Sequence, residues 1–387
     1  MDKIVRKTKS GIYIREDAGF GLITFSPYTG LIYAIHPSQS SLVTKWLDNS
    51  NIQLPSDIYK LSLGAGWALR FEDSKFPYPH LLPEEEFWSN IPRPRYPILI
   101  NWLITGKCPL ACLYCYAEDM MRQMDREPKG ESAIKRIAES ILELNPLAVV
   151  LTGGDPLFSP HLAYAIQILD GKTGIIVDTN GYTFSQEHLN LLKKHNIAVR
   201  ISLDFERPKQ NQAVRKFDKE HPILARVKST GRAALDALCL CLDAGIAVTV
   251  QTVATKLNVN DLVSFGDKLY RMGVTSWRIF VVSDSKVRHE EYLRLLGNPK
   301  SYSYMWEKIY KAYISNWQQS MAVQFILHSP PNAVILVGPD GKFYNESITR
   351  TGKTLIDELN PTKPSSRALD NWLGWESHVK RYLNMID

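Results

Sequence analysis

The sequence predicts an α/β protein built on a partial (β/α)6 barrel, with a small β-rich unit before it and a short cap after it. Three observations carry this reading. From residue 96 onward, short apolar and often β-branched runs alternate with helical stretches; residues 11–35 instead alternate apolar and polar positions; and residues 73–97 between the two regions are rich in proline. Parallel strands need long crossover connections, which helices supply, so the first pattern points to a parallel sheet. Six units suit a curved, incomplete barrel of the TIM type better than a closed eight-unit one. Periodicity alone leaves an open doubly wound sheet as the alternative.

In chain order, residues 1–75 form the first unit. Ile12, Ile14, Leu22, Thr24, Phe25, Leu31, Tyr33 and Ile35 lie around a Pro27-Tyr28-Thr29-Gly30 turn, the pattern of a β-hairpin or meander. A helix follows, capped by Ser38 or Ser40, with Leu42, Trp46 and Leu47 on its apolar face. Residues 76–97, with Pro77, Pro79, Pro83, Pro92, Pro94 and Pro97 and an acidic run at 84–86, read as a linker. The barrel occupies 98–285, with strands at 98–105, 148–152, 174–179, 198–203, 247–253 and 276–282. Helices at 131–144, 160–170, 185–195, 229–244 and 259–272 connect them. Residues 286–387 hold an amphipathic helix, an apolar run at 323–327, a hairpin turned at Pro339-Asp340-Gly341 and a terminal helix with Trp372, Trp375 and Tyr382. This tail is short for a further domain and reads as a cap.

Composition bounds the function. Hydrophobic residues at 44% and charged residues at 22% suit a globular chain, and no apolar run reaches the ~18 residues of a membrane span. The start, MDKIVRKTKSGIYI, has no apolar stretch with a cleavage site behind it, so a cytoplasmic location is expected. A net charge of +6 from 46 basic and 40 acidic residues is modest, and the densest basic segment, 209–228, is interrupted by Asp218 and Glu220. No nucleic-acid or membrane partner is expected; an anionic cofactor or acidic peptide would use the same excess. Of five cysteines, three lie within eight residues, which points to a metal in a reducing compartment rather than to disulfides.

The three are Cys108, Cys112 and Cys115 in Thr105-Gly-Lys-Cys-Pro-Leu-Ala-Cys-Leu-Tyr-Cys-Tyr116, directly after the first barrel strand. Three thiolates on a four-iron cubane leave one iron open, able to chelate the amino and carboxylate groups of S-adenosylmethionine. Zinc with a fourth ligand elsewhere is the plain alternative, but none of the nine histidines stands in a matching arrangement. Three residues, then two, with an aromatic before the last cysteine, is the spacing of the radical S-adenosylmethionine family, which the sequence resembles over residues 98–282. The resemblance implies one 4Fe-4S cluster, reductive cleavage of S-adenosylmethionine to a 5'-deoxyadenosyl radical, and Tyr114 against the adenine.

Other motifs follow at the strand ends, where barrel folds collect their sites. Thr152-Gly153-Gly154-Asp155-Pro156 resembles the family's GGEP segment with Asp for Glu, and a glycine pair lets backbone approach a ligand. Thr179-Asn180-Gly181 and Ser202-Leu203-Asp204 resemble cofactor-lining segments suited to ribose hydroxyls and a carboxylate, although each alone could be a turn or cap. Gln251 and Arg278 are similarly placed and less specific. Cys239 and Cys241 sit in a helix interior; Cys239 shares the stripe of Leu235, Leu238 and Leu242, and Cys241 falls about 200° away at ~100° per residue. They read as core thiols, or as a hydrogen donor to a substrate radical.

The tail Gly338-Pro-Asp-Gly-Lys-Phe-Tyr344-Asn345, followed by Leu-Ile-Asp-Glu-Leu, resembles the SPASM or twitch extension of radical peptide maturases. There a cysteine usually follows the hairpin and binds auxiliary clusters; here Asn345 takes its place and no cysteine follows Cys241, so no auxiliary cluster is expected. Residues 11–70 resemble the small leader-recognition domain of maturases of ribosomally made peptides. Such a domain adds a strand at a sheet edge, with pockets here between Tyr13, Phe20, Tyr28 and Tyr33. The resemblance implies hydrogen abstraction from a ribosomally synthesised peptide carrying a leader (crosslink, epimerisation or excision) and a flavodoxin- or ferredoxin-type electron donor. A radical enzyme of small-molecule or cofactor biosynthesis is the alternative. A non-catalytic iron-sulfur or zinc-binding regulator is a third class, which the strand-end motifs disfavour.

Overall fold

The computed structural model describes residues 4–49, 93–115, 117–118, 127–218, 229–284, 288–318, 320–326, 332–348, 354–358, 369, 373–382 and 384–386. Most of the expected linker, 76–92, lies outside them.

The N-terminal unit is the expected meander: β1 (Arg6–Lys7), β2 (Tyr13–Asp17), β3 (Gly21–Phe25) and β4 (Ile32–Ile35), paired antiparallel in that order. The helix Pro37–Asp48 follows, but neither expected serine caps it: Pro37 takes the first turn, where its missing N–H costs nothing, and His36 accepts from the Ser38 amide. Both faces of this sheet are covered. Ile12, Ile14, Leu22 and Tyr33 pack under Val43, Trp46 and Leu47 of the helix. Tyr13, Phe20, Ile23, Phe25 and Ala34 pack on Leu99, Ala148, Ile176, Ala198 and Ala247, the starts of barrel strands. The sheet therefore seals the N-terminal mouth of the barrel. Tyr13, Phe20 and Tyr33, expected to frame peptide pockets, are instead buried core: Tyr13 and Phe20 fill the seal against the barrel, and Tyr33 packs under the helix.

The barrel strands are β5 (Leu99–Thr105), β7 (Ala148–Gly153), β8 (Gly174–Thr179), β9 (Ala198–Ser202), β11 (Val248–Ala254) and β12 (Ser276–Val281), each within two residues of its expected place. Two short strands, β6 (Leu110–Cys112) and β10 (Arg215–Phe217), form a separate ribbon above the barrel. Helices such as Glu131–Glu143 cover the outside. Ile134, Ile137, Ala138 and Ile141, at helical spacing, meet Ile100, Trp102 and Ile104, the outward residues of β5. Ser185 and Ser229 cap the helices Gln186–Lys194 and Thr230–Asp243 with hydrogen bonds to the first turn.

The tail does more than cap. After the helix Pro299–Ala312 and a π-helical turn, β13 (Ala322–Ile326) pairs parallel with β12, and β14 (Val334–Val337) pairs parallel with β5. The hairpin then continues as β15 (Phe343–Ile348) and β16 (Thr354–Glu358), giving a ten-stranded sheet, β13-β12-β11-β9-β8-β7-β5-β14-β15-β16. The helix Trp375–Tyr382 spans the gap between the sheet's two sides. Gln324 of β13 donates to the Arg381 carbonyl (3.1 Å), and Asn101 of β5 donates to the Tyr382 hydroxyl (3.3 Å). Past it, β17 (Asn384–Ile386) pairs parallel with β4 and occupies that edge of the N-terminal sheet. Among the described residues no helix is long and apolar enough to cross a membrane.

Candidate active site

The cluster-type loop is held on two sides. At its start, the Gly154 amide donates to the Thr105 carbonyl (2.7 Å) and the Asp155 amide to the Lys107 carbonyl (2.9 Å), strapping β7 to the chain just before Cys108. Gly153 has φ +132°, and a Cβ there would collide with the Thr105 carbonyl; one on Gly154 would collide with that of Lys107. The glycine pair thus exists to let two backbones meet under the loop. On the other side Cys112 stands opposite Arg215 in the β6–β10 ribbon.

Cys108, Cys112 and Cys115 are all free and half-buried, and all line one cavity of about 310 Å³. Burial pushes the three thiols up, Cys115 to about 12, so a bound cation is what would hold them as thiolates. Asn180 Nδ2 and the Leu110 amide both point at Cys108 Sγ (3.6 and 3.4 Å), as donors to a charged sulfur would. Among the described residues no group of three or more His, Cys, Asp or Glu side chains is already closed around a single metal ion. The donor set fits a cluster with three cysteine ligands.

Around the same cavity the structure brings together Tyr114, Gly153, Gly154, Thr179, Asn180, Ser202 and Arg278. It does not bring Asp155, Asp204, Gln251, Cys239 or Cys241 to its wall. The Asp155 carboxylate is buried among donors: the Leu157 and Asn180 amides (3.0 and 2.8 Å) and the Thr179 hydroxyl (2.9 Å). Burial raises it to about 6 despite those bonds. Asp155 therefore ties the end of β7 to the end of β8 and sets the position of Asn180.

Asp204 was expected to touch ligand, but its carboxylate is spent inside the protein. It accepts from Arg215 Nε (2.8 Å) and Nη2 (3.3 Å), from the Val253 amide (2.8 Å) and from the Tyr114 hydroxyl. The Arg215 guanidinium lies 5.4 Å from the centre of the Tyr114 ring. Asp204 is thus a hub joining β9 and β11 to the loop and its ribbon. Gln251 donates to Asp178 (2.9 Å).

The helix with the remaining cysteines corrects the sequence reading. Ala234, Ala237, Leu238 and Cys241 form the buried stripe, with Cys241 fully buried, while Cys239 and Leu240 are exposed. The small alanines decide which face docks, since they let the helix approach Gly181 closely. An apolar count centres the stripe on Leu235, Leu238 and Leu242, which do touch the core, but it puts the wrong cysteine inside.

Sequence reasoning named Arg278 but missed the rest of a polar layer deeper in the barrel. Cavity-lining positions one to three residues before the strand ends carry Asp178, Arg200 and Arg278, with Arg200 beside Asp178 in register and Arg278 bonded to Gln324 (2.9 Å). Arg381, Glu346 and Tyr382 join from the tail. The signal was available for Arg200, since a period of two places it on the same face as Ser202. Arg381 carries no such signal.

Residues 102–269 match the model of the radical SAM superfamily. Among curated proteins, the chain is 24% identical to an AdoMet-dependent heme synthase of Nitratidesulfovibrio vulgaris over 212 residues, 51% of this chain and 54% of that protein. It is 23% identical to GTP 3',8-cyclase 1 of Mycobacterium tuberculosis over 215 residues, 54% of each. The chain spans about half the length of these relatives. Among solved structures, Streptococcus suis SuiB bound to precursor peptide SuiA matches with TM-score 0.57 and 14% identity over 97% of this chain and 90% of that one. Native anSMEcpe with bound AdoMet matches with TM-score 0.55 and 12% identity over 72% and 83%. At these identities the likeness is one of fold.

Proposed function

We propose, from the premise that residues 102–269 are a radical SAM domain, that this protein abstracts hydrogen from a ribosomally synthesised peptide, leading to a crosslink, an epimerisation or an excision. The domain's cofactors are one 4Fe-4S cluster and S-adenosylmethionine, which when bound supply a 5'-deoxyadenosyl radical. Cys108, Cys112 and Cys115 would hold the cluster. Gly153 and Gly154 bring backbone to the cavity wall, Asn180 and Ser202 offer short polar groups there, and Tyr114 offers a ring whose hydroxyl Asp204 fixes. Asp155 and Asp204 are positioning residues.

One observation carries the peptide substrate: the likeness to SuiB, whose structure holds a precursor peptide, runs over nearly the whole chain, including the parts outside the radical SAM match. A second reading, a radical enzyme of small-molecule biosynthesis, draws on the curated relatives, whose names are a heme synthase and a GTP cyclase. The tail would carry no auxiliary cluster, since no cysteine follows Cys241.

The test is anaerobic reconstitution followed by incubation with the peptide of any short reading frame beside the gene. About four irons per chain are expected from one cubane, and about eight would overturn the single-cluster assignment. The peptide should change in mass or stereochemistry with 5'-deoxyadenosine formed alongside; an unchanged peptide beside a converted small molecule favours the second reading. Changing any one of the three cysteines to Ala should abolish 5'-deoxyadenosine, and formation at the wild-type rate would refute the assignment of ligands.

A further inference from the structure

The cavity has two chemically distinct ends. At the top stand the thiols; at the floor stand Arg200, Arg278 and Arg381, supplied by β9, β12 and the terminal helix. Arg200 is 8% and Arg278 7% exposed. Two other arginines of the cavity wall are matched by carboxylates, Arg215 by Asp204 (2.8 Å) and Arg288 by Glu118 (2.6 Å). The floor is different. Its three guanidiniums share Asp178 and Glu346, and Arg381 reaches Glu346 only at 3.9 Å.

Donor capacity shows the same excess. A guanidinium has five N–H donors in a fixed fork. Arg278 uses Nε on Gln324 (2.9 Å), while Nε and Nη1 of Arg381 are buried with no partner among the described residues. Leaving buried charged donors unmet is costly, and like charges so close repel each other. Burial first, then Arg200 and Arg381, holds Arg278 well below the usual guanidinium range. An anion with two or three oxygens would meet these forks bidentately and remove both penalties.

We propose that Arg200, Arg278 and Arg381 form an oxyanion subsite on the barrel floor, which takes a carboxylate or phosphate of the substrate and so aims the substrate's neighbouring carbon at the radical end of the cavity. Calling the occupant substrate rests on the radical reading above; the oxyanion site itself does not. On a peptide the group is a Glu or Asp side chain or a terminal carboxylate. On a small molecule it is a carboxylate or phosphate. The side-chain amides of Gln324 and Asn101 hold the helix that supplies Arg381 from opposite sides of the gap.

The test uses the reconstituted full chain with S-adenosylmethionine present and three probes at constant ionic strength: citrate, inorganic phosphate, and a Glu-containing peptide beside its Gln counterpart. Saturable calorimetric binding of at least one oxyanion is expected, weakened on the order of tenfold in Arg381→Gln and in Arg200→Gln. Affinity for S-adenosylmethionine and iron content, measured on the same samples, should move far less. Absence of saturable binding by every probe overturns the proposal, as does an equal loss of S-adenosylmethionine affinity, which would make the arginines cofactor ligands. If a variant fails to fold, competition of citrate against phosphate on the wild-type chain still decides whether one shared site exists. Preference for the Glu peptide over its Gln counterpart supports the subsite and the peptide reading together. Binding of small oxyanions alone supports the subsite and counts against the peptide.

Discussion

Asp204 separates what a motif names from what a residue does. Its place after a strand end is legible in Ser202-Leu203-Asp204, but its partners are not, because Tyr114 and Arg215 lie 90 and 11 residues away and meet it only through the β6–β10 ribbon. As a ligand contact, Asp204 could be changed with iron content intact. As a hub it cannot. Asp204→Asn leaves Arg215 buried without its countercharge, a loss of ~3–5 kcal/mol, and frees the ribbon that carries Cys112. We expect iron per reconstituted chain to fall together with denaturant stability. Full iron content with weakened S-adenosylmethionine binding alone would restore the ligand reading. The cysteines and the glycine pair, in contrast, were readable because their spacing is local and their chemistry admits few substitutes.

At the scale of elements, the sequence pattern located all six central strands and their helices, since the strands are buried on both faces and read as short apolar runs, while each helix buries one face and repeats it. What it could not give is which distant segment completes the sheet: β13, β14 and the helix Trp375–Tyr382 lie 40 or more residues beyond β12 in sequence. That helix is pinned by His378, whose Nε2 accepts from the Ile98 amide (2.9 Å) and whose Nδ1 donates to the Ala333 carbonyl (2.8 Å). Only the neutral ring makes both bonds, and burial lowers His378 to about 4 from 6.5. The unfolded chain therefore takes up a proton first as pH falls. Stability contributed by His378 is full above about pH 6.5 and is lost as pH falls toward about 4, by at most ~3 kcal/mol at 1.4 kcal/mol per pH unit. Urea midpoints at pH 7.5 and 5 measure it. His378→Gln should be less stable at pH 7.5 and show a shallower decline; an unchanged slope would place the acid sensitivity elsewhere.

Across the whole molecule, the N-terminal sheet is where the sequence says least about arrangement, because the same alternating strands serve a separable recognition unit or a lid on the barrel. In the structure the sheet packs on the starts of the barrel strands. Arg15, fully buried and paired with Asp17 (2.9 Å), donates to the carbonyls of Tyr96, Pro97 and Asn145 (2.9, 2.8 and 2.7 Å), and Phe25 packs against Gly174. Among the described residues the β4 edge of the sheet is taken by β17, and the edges left for a leader to add a strand are short: β1, only Arg6 and Lys7, and β17, only Asn384–Ile386. Deleting residues 1–49 would expose the apolar starts of β5, β7, β8, β9 and β11 to water, at roughly 25 cal/mol per Å² of apolar surface, and leave three carbonyls without their donor. We expect the truncated chain to lose cluster loading, S-adenosylmethionine cleavage and peptide binding together. Arg15→Met gives the finer test, because it removes the staple and keeps the sheet: stability should drop by ~3–5 kcal/mol from the stranded Asp17 carboxylate, with iron loading falling in step. A truncated chain that stays folded, loads iron, cleaves S-adenosylmethionine at the wild-type rate and loses only peptide affinity would instead mark the sheet as a dedicated reader of the leader.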